Sequence, residues 1–327
     1  MCRFLRLLCA LTIIFLLPLC PIYAQDINES QKKVIIFIMD NINYDDIEKY
    51  GGDNLQFLLK HGALGLMNTN SGGSYSDTNS YVTIGAGSRG VSSALGDNSG
   101  GYVDFIAGES VPEIYIRNTG NQMIESNIAN TGIVSLWNSN RELNQPVKVG
   151  LLGTLLNEHG LKTAVIGNES RSMENISVNA ALIAMNGKGI VDFGQVNNEL
   201  LIKDPSSPFG VKTDYAVLYK AFLQYKDKAD LIVIQSGDSY RLNKYTHMAD
   251  DIYLKTKQEI FKRADDFLGK ILESSDENTL ILLLVPFPSR EDVQAGKRLT
   301  PIIAYGSTVS GNILSSSTTK RDGIITN

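Results

Sequence analysis

Val34-Ile35-Ile36-Phe37-Ile38-Met39-Asp40 is the stretch that decides the fold. Six consecutive apolar residues, four of them β-branched, fit a strand covered on both faces, and the acidic residue follows where such a strand ends. Strands buried on both sides belong to parallel sheets flanked by helices. The remaining chain fits that frame. Leu231–Gln235, Thr279–Val285 and Pro301–Tyr305 are further strand candidates, as are Ala63–Met67, Leu161–Gly167 and Ala180–Met185. Between them, Asp53 is placed to cap a helix carrying Leu55, Leu58 and Leu59 and ended by Gly62. Pro146 is placed to start a helix reaching His159. Ile260, Phe261, Ala264, Phe267, Leu268, Ile271 and Leu272 recur at helical spacing. Glu109–Glu142 follows no clear period. Alternating strands and helices predict an α/β fold: a three-layer α/β/α sandwich with a mainly parallel central sheet.

Outward from this core, the first 24 residues differ from the rest. Arg3 and Arg6 precede an apolar run from Leu7 to Leu19, and Ala24 offers a small residue before Gln25. That is the layout of a secretory signal peptide, so the chain is expected to be exported, secreted or held at the cell envelope. A polar lead-in of residues 25–32 follows, and residues 33–327 read as a single domain without repeats. All three cysteines, Cys2, Cys9 and Cys20, lie in the leader. The mature chain is thus expected to have no disulfide and no thiolate metal ligand. The formal net charge is −5; with Arg3 and Arg6 gone, 28 basic side chains face 35 acidic ones, a net −7. No nucleic-acid partner is expected for such a surface. Membrane association is expected only through an uncleaved leader or a C-terminal region beyond this chain.

Ligands of open α/β sheets bind beyond the carboxyl ends of the strands. Asp40 ends the first strand, Asn168 follows Gly167, Asp238 follows the Leu231–Gln235 run, and Pro286–Ser289 follow Val285. A carboxylate so placed can hold a metal, orient a substrate or cap the next helix. Gly85 to Gly90 spells G-x-G-x-x-G, the dinucleotide fingerprint. That motif belongs between the first strand and its helix, and here it comes some fifty residues later. A dinucleotide site is therefore set aside.

The order of the Val34–Asp40 strand, a helix to His61, the Gly62-Ala63 turn and a Ser/Thr segment running into Ile84-Gly85-Ala86-Gly87-Ser88-Arg89 resembles the alkaline phosphatase superfamily. The glycine string is similar to the nucleophile region of its cofactor-independent phosphoglycerate mutases. Leu151 to Gly167 is similar to a helix, glycine, strand unit of its sulfatases and mutases. The likeness runs through nearly all of residues 33–327. It implies an alkaline phosphatase-like fold and a metal-dependent hydrolase of phosphate or sulfate esters. It implies Asp40 and Asp238 as metal ligands and Thr78 or Ser76 as the nucleophile. Asn79, Arg89 and Arg241 are candidate substrate contacts beside them, an arginine there being able to grip a phosphate or carboxylate with two hydrogen bonds. Activation of a hydroxyl by a bound metal is the chemistry such a set would use.

The chain departs from the family pattern in its histidines, of which there are three. His61 and His159 each precede a glycine at a helix end. His247 lies nine residues after Asp238, and Leu242 stands where the family places a histidine. Val285-Pro286-Phe287-Pro288-Ser289 has no Asp-His pair. Carboxylate donors of this kind favour Mg²⁺, Mn²⁺ or Ca²⁺ over a two-zinc centre. Two functions stay open. One is the ester hydrolase, acting on a small phosphate or sulfate ester. The other is a catalytically degenerate member, without a metal cofactor, that binds or scaffolds in the envelope. Superfamily members normally continue past the last strand into a further helix, and this chain stops at Asn327, so a truncated C-terminus is also expected.

Overall fold

Lys33–Ile38 forms β1 of a computed structural model that describes residues 32–309, 312–319 and 321–326. The leader, its three cysteines and most of the lead-in lie outside the described residues. The other strands of the central sheet are β2 (Ala63–Asn68), β3 (Thr163–Ile166), β4 (Phe193–Gln195), β5 (Leu231–Gln235), β6 (Thr279–Leu284), β7 (Leu299–Tyr305), β8 (Asn312–Ile313) and β9 (Ile324–Thr326). Their order is β8-β2-β7-β6-β1-β5-β3-β4, with β9 also paired to β2. Every pairing is parallel except those of β7 with β6 and with β2. The described residues form one compact unit.

The alternation along β1 sends residues to two cores, because successive side chains of a strand point to opposite faces. Ile36 and Ile38 join a core with Tyr81, Val82, Val111, Ile133 and Leu136. Ile35, Phe37 and Met39 join another with Ile47, Leu55, Leu58, Phe222, Phe261 and Phe267. Helices therefore cover both faces, and three layers result. This is the expected α/β/α architecture.

Several local expectations change. Asp53 is the first residue of the Asp53–His61 helix rather than its cap. The cap comes from far along the chain: the Asp265 carboxylate accepts from the backbone N–H of Leu55 at 2.7 Å. Pro146 stands ahead of its helix, which begins at Leu151. Ala180–Met185, expected as a strand, contains the Ala181–Ala184 helix instead. Alanine and leucine favour helix, and a short apolar run by itself cannot separate a buried helix from a buried strand. Glu109–Glu142 resolves into helices Val111–Thr119 and Ile133–Arg141 with a short strand, Ile128–Asn130, between them.

The glycine string belongs to the helix Asp77–Ala86. Gly87, at φ +61, ends it in the left-handed conformation. Gly85 lies inside it, where a Cβ would stand 2.1 Å from the carbonyl oxygen of Leu182. These glycines serve helix packing and helix termination. A phosphate-cradling loop would have to precede a helix, and they stand at the end of one.

Candidate functional site

The carboxyl ends of β1, β3 and β5 lie side by side, since β5 pairs with both β1 and β3 and Ile38 is in register with Gln235. Asp40 comes off β1, Glu169 off the loop after β3, and Gln235 is the last residue of β5. The helix Asp77–Ala86 brings Tyr81 to them from above one face. All four side chains are buried.

They form one hydrogen-bonded cluster. The Tyr81 hydroxyl donates to Asp40 Oδ2 in a very short contact. Gln235 Nε2 lies 2.8 Å from Asp40 Oδ2, 2.7 Å from the Tyr81 oxygen and 2.5 Å from Glu169 Oε2. The backbone N–H of Ala180 donates to Gln235 Oε1 at 3.3 Å, which settles which end of the amide faces the carboxyls. Two amide hydrogens thus meet three oxygens, an arrangement eased when one carboxyl keeps its own proton.

The electrostatics agree. Burial pushes the Asp40 carboxyl up to about 7, against the opposing effect of its hydrogen bonds from Tyr81 and Gln235. Burial also raises Glu169 well above the usual carboxylate range, and the charges of Asp40, Asp77 and Asp97 add to it. Burial and the Asp40 charge likewise raise the Tyr81 phenol. Lys244 is the cation that acts on Asp40, and it is itself tied to Asp77 at 2.5 Å.

The remaining expected site residues are placed as follows. Ser76 is the N-cap of the Asp77–Ala86 helix, its oxygen accepting from the Asn79 N–H. Thr78 stands in the first turn, its N–H donating to Asp77 Oδ1. Asn79 braces the preceding loop: its amide donates to Ser74 O at 2.7 Å and accepts from Ser92 N at 2.6 Å. Arg89 is exposed, in the segment that follows the helix's C-cap Gly87. Asp238 and Arg241 are buried against each other at 2.8 Å. The Thr213 N–H also donates to Asp238 Oδ1, and Arg263 reaches Oδ2. Arg241 also donates to the carbonyls of Ser170 and Ser236 and to Thr213 Oγ1, while its Nε is buried without a hydrogen-bond partner. The structure therefore gathers Asp40 with Tyr81, Glu169 and Gln235, and uses Asp238 with Arg241 to knit the loops after β3 and β5. Glu169 and Gln235 obey the same strand-end rule that singles out Asp40. Tyr81 has no such signal, because it reads as one apolar residue among several.

A divalent ion would need about four to six donor atoms. Asp40 Oδ2 already receives two hydrogens, so the N–H and O–H groups point where a cation would sit. Asp40 Oδ1 is buried and without a hydrogen-bond partner. Among the described residues no group of three or more His, Cys, Asp or Glu side chains converges to hold a metal. The donor set does not fit a divalent metal at Asp40.

Beside Glu169 lies a cavity of about 550 Å³ whose walls include Asp97, Asn98, Glu169, Arg171, Phe209 and Tyr240. Tyr240 is within electrostatic reach of Glu169, Asp77 and Asp40, so the cavity adjoins the buried cluster.

No family model matches the sequence, and no curated protein matches it. Among solved structures, a Pyrococcus horikoshii protein is similar over 90% of this chain and 91% of its own, at 13% identity and a TM-score of 0.49. A Vibrio parahaemolyticus protein of the alkaline phosphatase superfamily is similar over 86% of this chain at 14% identity and TM-score 0.49, and this chain spans 62% of it. The alkaline phosphatase of the Antarctic bacterium TAB5 is similar over 86% of this chain and 94% of its own, at 15% identity and TM-score 0.44. At such identities and TM-scores these similarities decide neither the family nor the activity of this chain.

Proposed function

We propose that the chain is an exported, metal-independent binding protein with an alkaline phosphatase-like fold, its ligand cleft lying at the strand ends beside Glu169. One observation carries this reading: Tyr81 and Gln235 direct hydrogens at the Asp40 carboxylate, where a metal-dependent hydrolase would need that carboxylate to face a cation. Hydrogen-bond donors of this kind repel a metal ion as surely as they satisfy a carboxylate. Export rests on the layout of the first 24 residues. Among the described residues no helix is long and apolar enough to cross a membrane.

A second reading is favoured by the unpartnered Asp40 Oδ1 and by the place of Thr78 in the first turn of its helix. It keeps the protein a metal-dependent hydrolase of a small phosphate or sulfate ester, with Thr78 or Ser76 as nucleophile. The two readings part on one experiment. Metal content of the purified mature chain is measured, and turnover of nitrophenyl phosphate and nitrophenyl sulfate is assayed with Zn²⁺, Mn²⁺, Mg²⁺ and Ca²⁺. The binding-protein reading expects no stoichiometric metal and no turnover. Turnover lost in both Asp40→Ala and Thr78→Ala would establish the hydrolase in its place.

A further inference from the structure

The cavity beside Glu169 is lined in a way that speaks to its ligand. Its charged groups are of both signs: Arg171 is the cation and Asp97 the anion, while burial and acidic neighbours raise the Glu169 carboxyl well above the usual carboxylate range. A phosphate or sulfate ester would meet a single guanidinium there, and the charges of Asp97 and Asp77 would oppose it. Anion sites are built the other way, from converging arginines, lysines or backbone N–H groups.

Uncharged hydrogen-bonding groups supply the rest. The Tyr240 hydroxyl has no hydrogen-bond partner among the described residues, although the Lys244 ammonium lies 5.1 Å from its ring centre. The Asn98 side-chain amide likewise makes no hydrogen bond among the described residues. Asp97 accepts from Ser177 Oγ at 2.6 Å through Oδ2 alone, so Oδ1 stays open. The walls therefore offer donors and acceptors in mixture, which suits a ligand whose groups do both. Hydroxyls do both.

An apolar surface completes the site. Phe209 lines the cavity from the turn Pro208–Gly210, held at φ +61 with the Tyr245 ring at 5.2 Å and the Arg171 guanidinium 5.5 Å from its centre. A bulky residue in the left-handed region is strained, and strain of this kind is kept where the surroundings fix a side chain for a purpose. Ile106 and Ile176 add aliphatic wall. The volume falls within the range of about 300–1,000 Å³ that encloses small ligands.

From these features we infer that the cavity is a saccharide site: it takes an uncharged sugar, with ring hydroxyls on Asp97, Asn98 and Tyr240 and a C–H face against Phe209. The inference rests on the reading of this cleft as a binding site and names the ligand class.

The test is saturation-transfer NMR on the mature full-length chain, in the presence of EDTA, with maltose, cellobiose and N,N′-diacetylchitobiose, and with inorganic phosphate and nitrophenyl phosphate as anionic probes. The expected result is transfer to at least one disaccharide and to neither anion. Asp97→Ala and Asn98→Ala are expected to weaken that binding about tenfold or more, since each leaves a sugar hydroxyl unpaired. Phe209→Ala would weaken it too. Asn98→Ala changes no hydrogen bond within the protein, so it keeps the test readable where another variant fails to fold. Transfer to none of the three disaccharides overturns the inference, as does transfer to the phosphates alone or sugar binding unchanged in both Asp97→Ala and Asn98→Ala. Because the titration runs in EDTA, its outcome is independent of any metal or turnover found in the hydrolase assay.

Discussion

The two oxygens of Asp40 live in different surroundings. Oδ2 is held by Tyr81 and Gln235, while Oδ1 is buried without a partner. Burial raises the pKa to about 7, from 3.8 in the unfolded chain. The folded state thus binds more protons than the unfolded one across that interval. Its stabilising contribution is fully present below about pH 4 and is lost as pH rises to about 7, by at most about 1.4 kcal/mol per unit. Urea denaturation of the wild type and of Asp40→Asn should show this: the variant gains on the wild type as pH rises from about 4 to about 7. A difference that stays constant with pH would show Asp40 to be charged throughout. Arg241 makes the opposite point, because a buried carboxylate, that of Asp238, faces it at 2.8 Å. Arg241→Met should cost about 3–5 kcal/mol by leaving the buried Asp238 carboxylate only the Thr213 N–H and the 3.4 Å contact of Arg263, and adding Asp238→Leu should recover a good part of it. Equal losses in the single and double variants would contradict that account.

Among elements, the Asp77–Ala86 helix sets the site. Ser76 caps its start, Tyr81 projects from its middle onto Asp40, and Gly85 lets it lie against the Ala181–Ala184 helix. That neighbouring helix in turn orients Gln235 through the Ala180 N–H. Gly85→Ala should therefore cost about 1–3 kcal/mol by forcing the two backbones apart. It should also disturb the Tyr81 contact, which a shifted tyrosine absorption on pH titration would report. Gly87→Ala has open space for its Cβ and pays only for its left-handed backbone, so its cost should be the smaller. A larger loss at Gly87 than at Gly85 would mean that the helix end, not the helix crossing, is what the string protects. Asp265 illustrates the same scale elsewhere, capping from one helix the start of another 210 residues away in sequence.

For the whole molecule, the absence of fit to a divalent ion has a thermal consequence. Anything that binds only the folded state raises its stability, by about 2.7 kcal/mol at a hundredfold excess over Kd. Mg²⁺, Mn²⁺, Ca²⁺ and Zn²⁺ should leave the Tm unchanged, and so should EDTA; a saturable rise with any one of these ions would reveal a site that the donor arrangement argues against. The architecture itself was open to reading from short segments. Residues 34–39, 231–234 and 280–284 are apolar throughout because both faces of each strand are covered, so local composition already states their burial. The same local logic puts Asp40 where β1 ends and water-seeking chemistry can begin. It could not tell Ala180–Met185 from a strand, since a short buried run looks alike in either state. Nor could it say what Asp40 would face. Tyr81 and Gln235 reach Asp40 across separations of 41 and 195 residues, and Gln235 reaches Glu169 across 66. Whether a carboxyl ends up beside a cation, an amide or another carboxyl depends on which loops the sheet order brings together and how much water they exclude. Those are distances and burial, and they exist only once the chain has closed on itself.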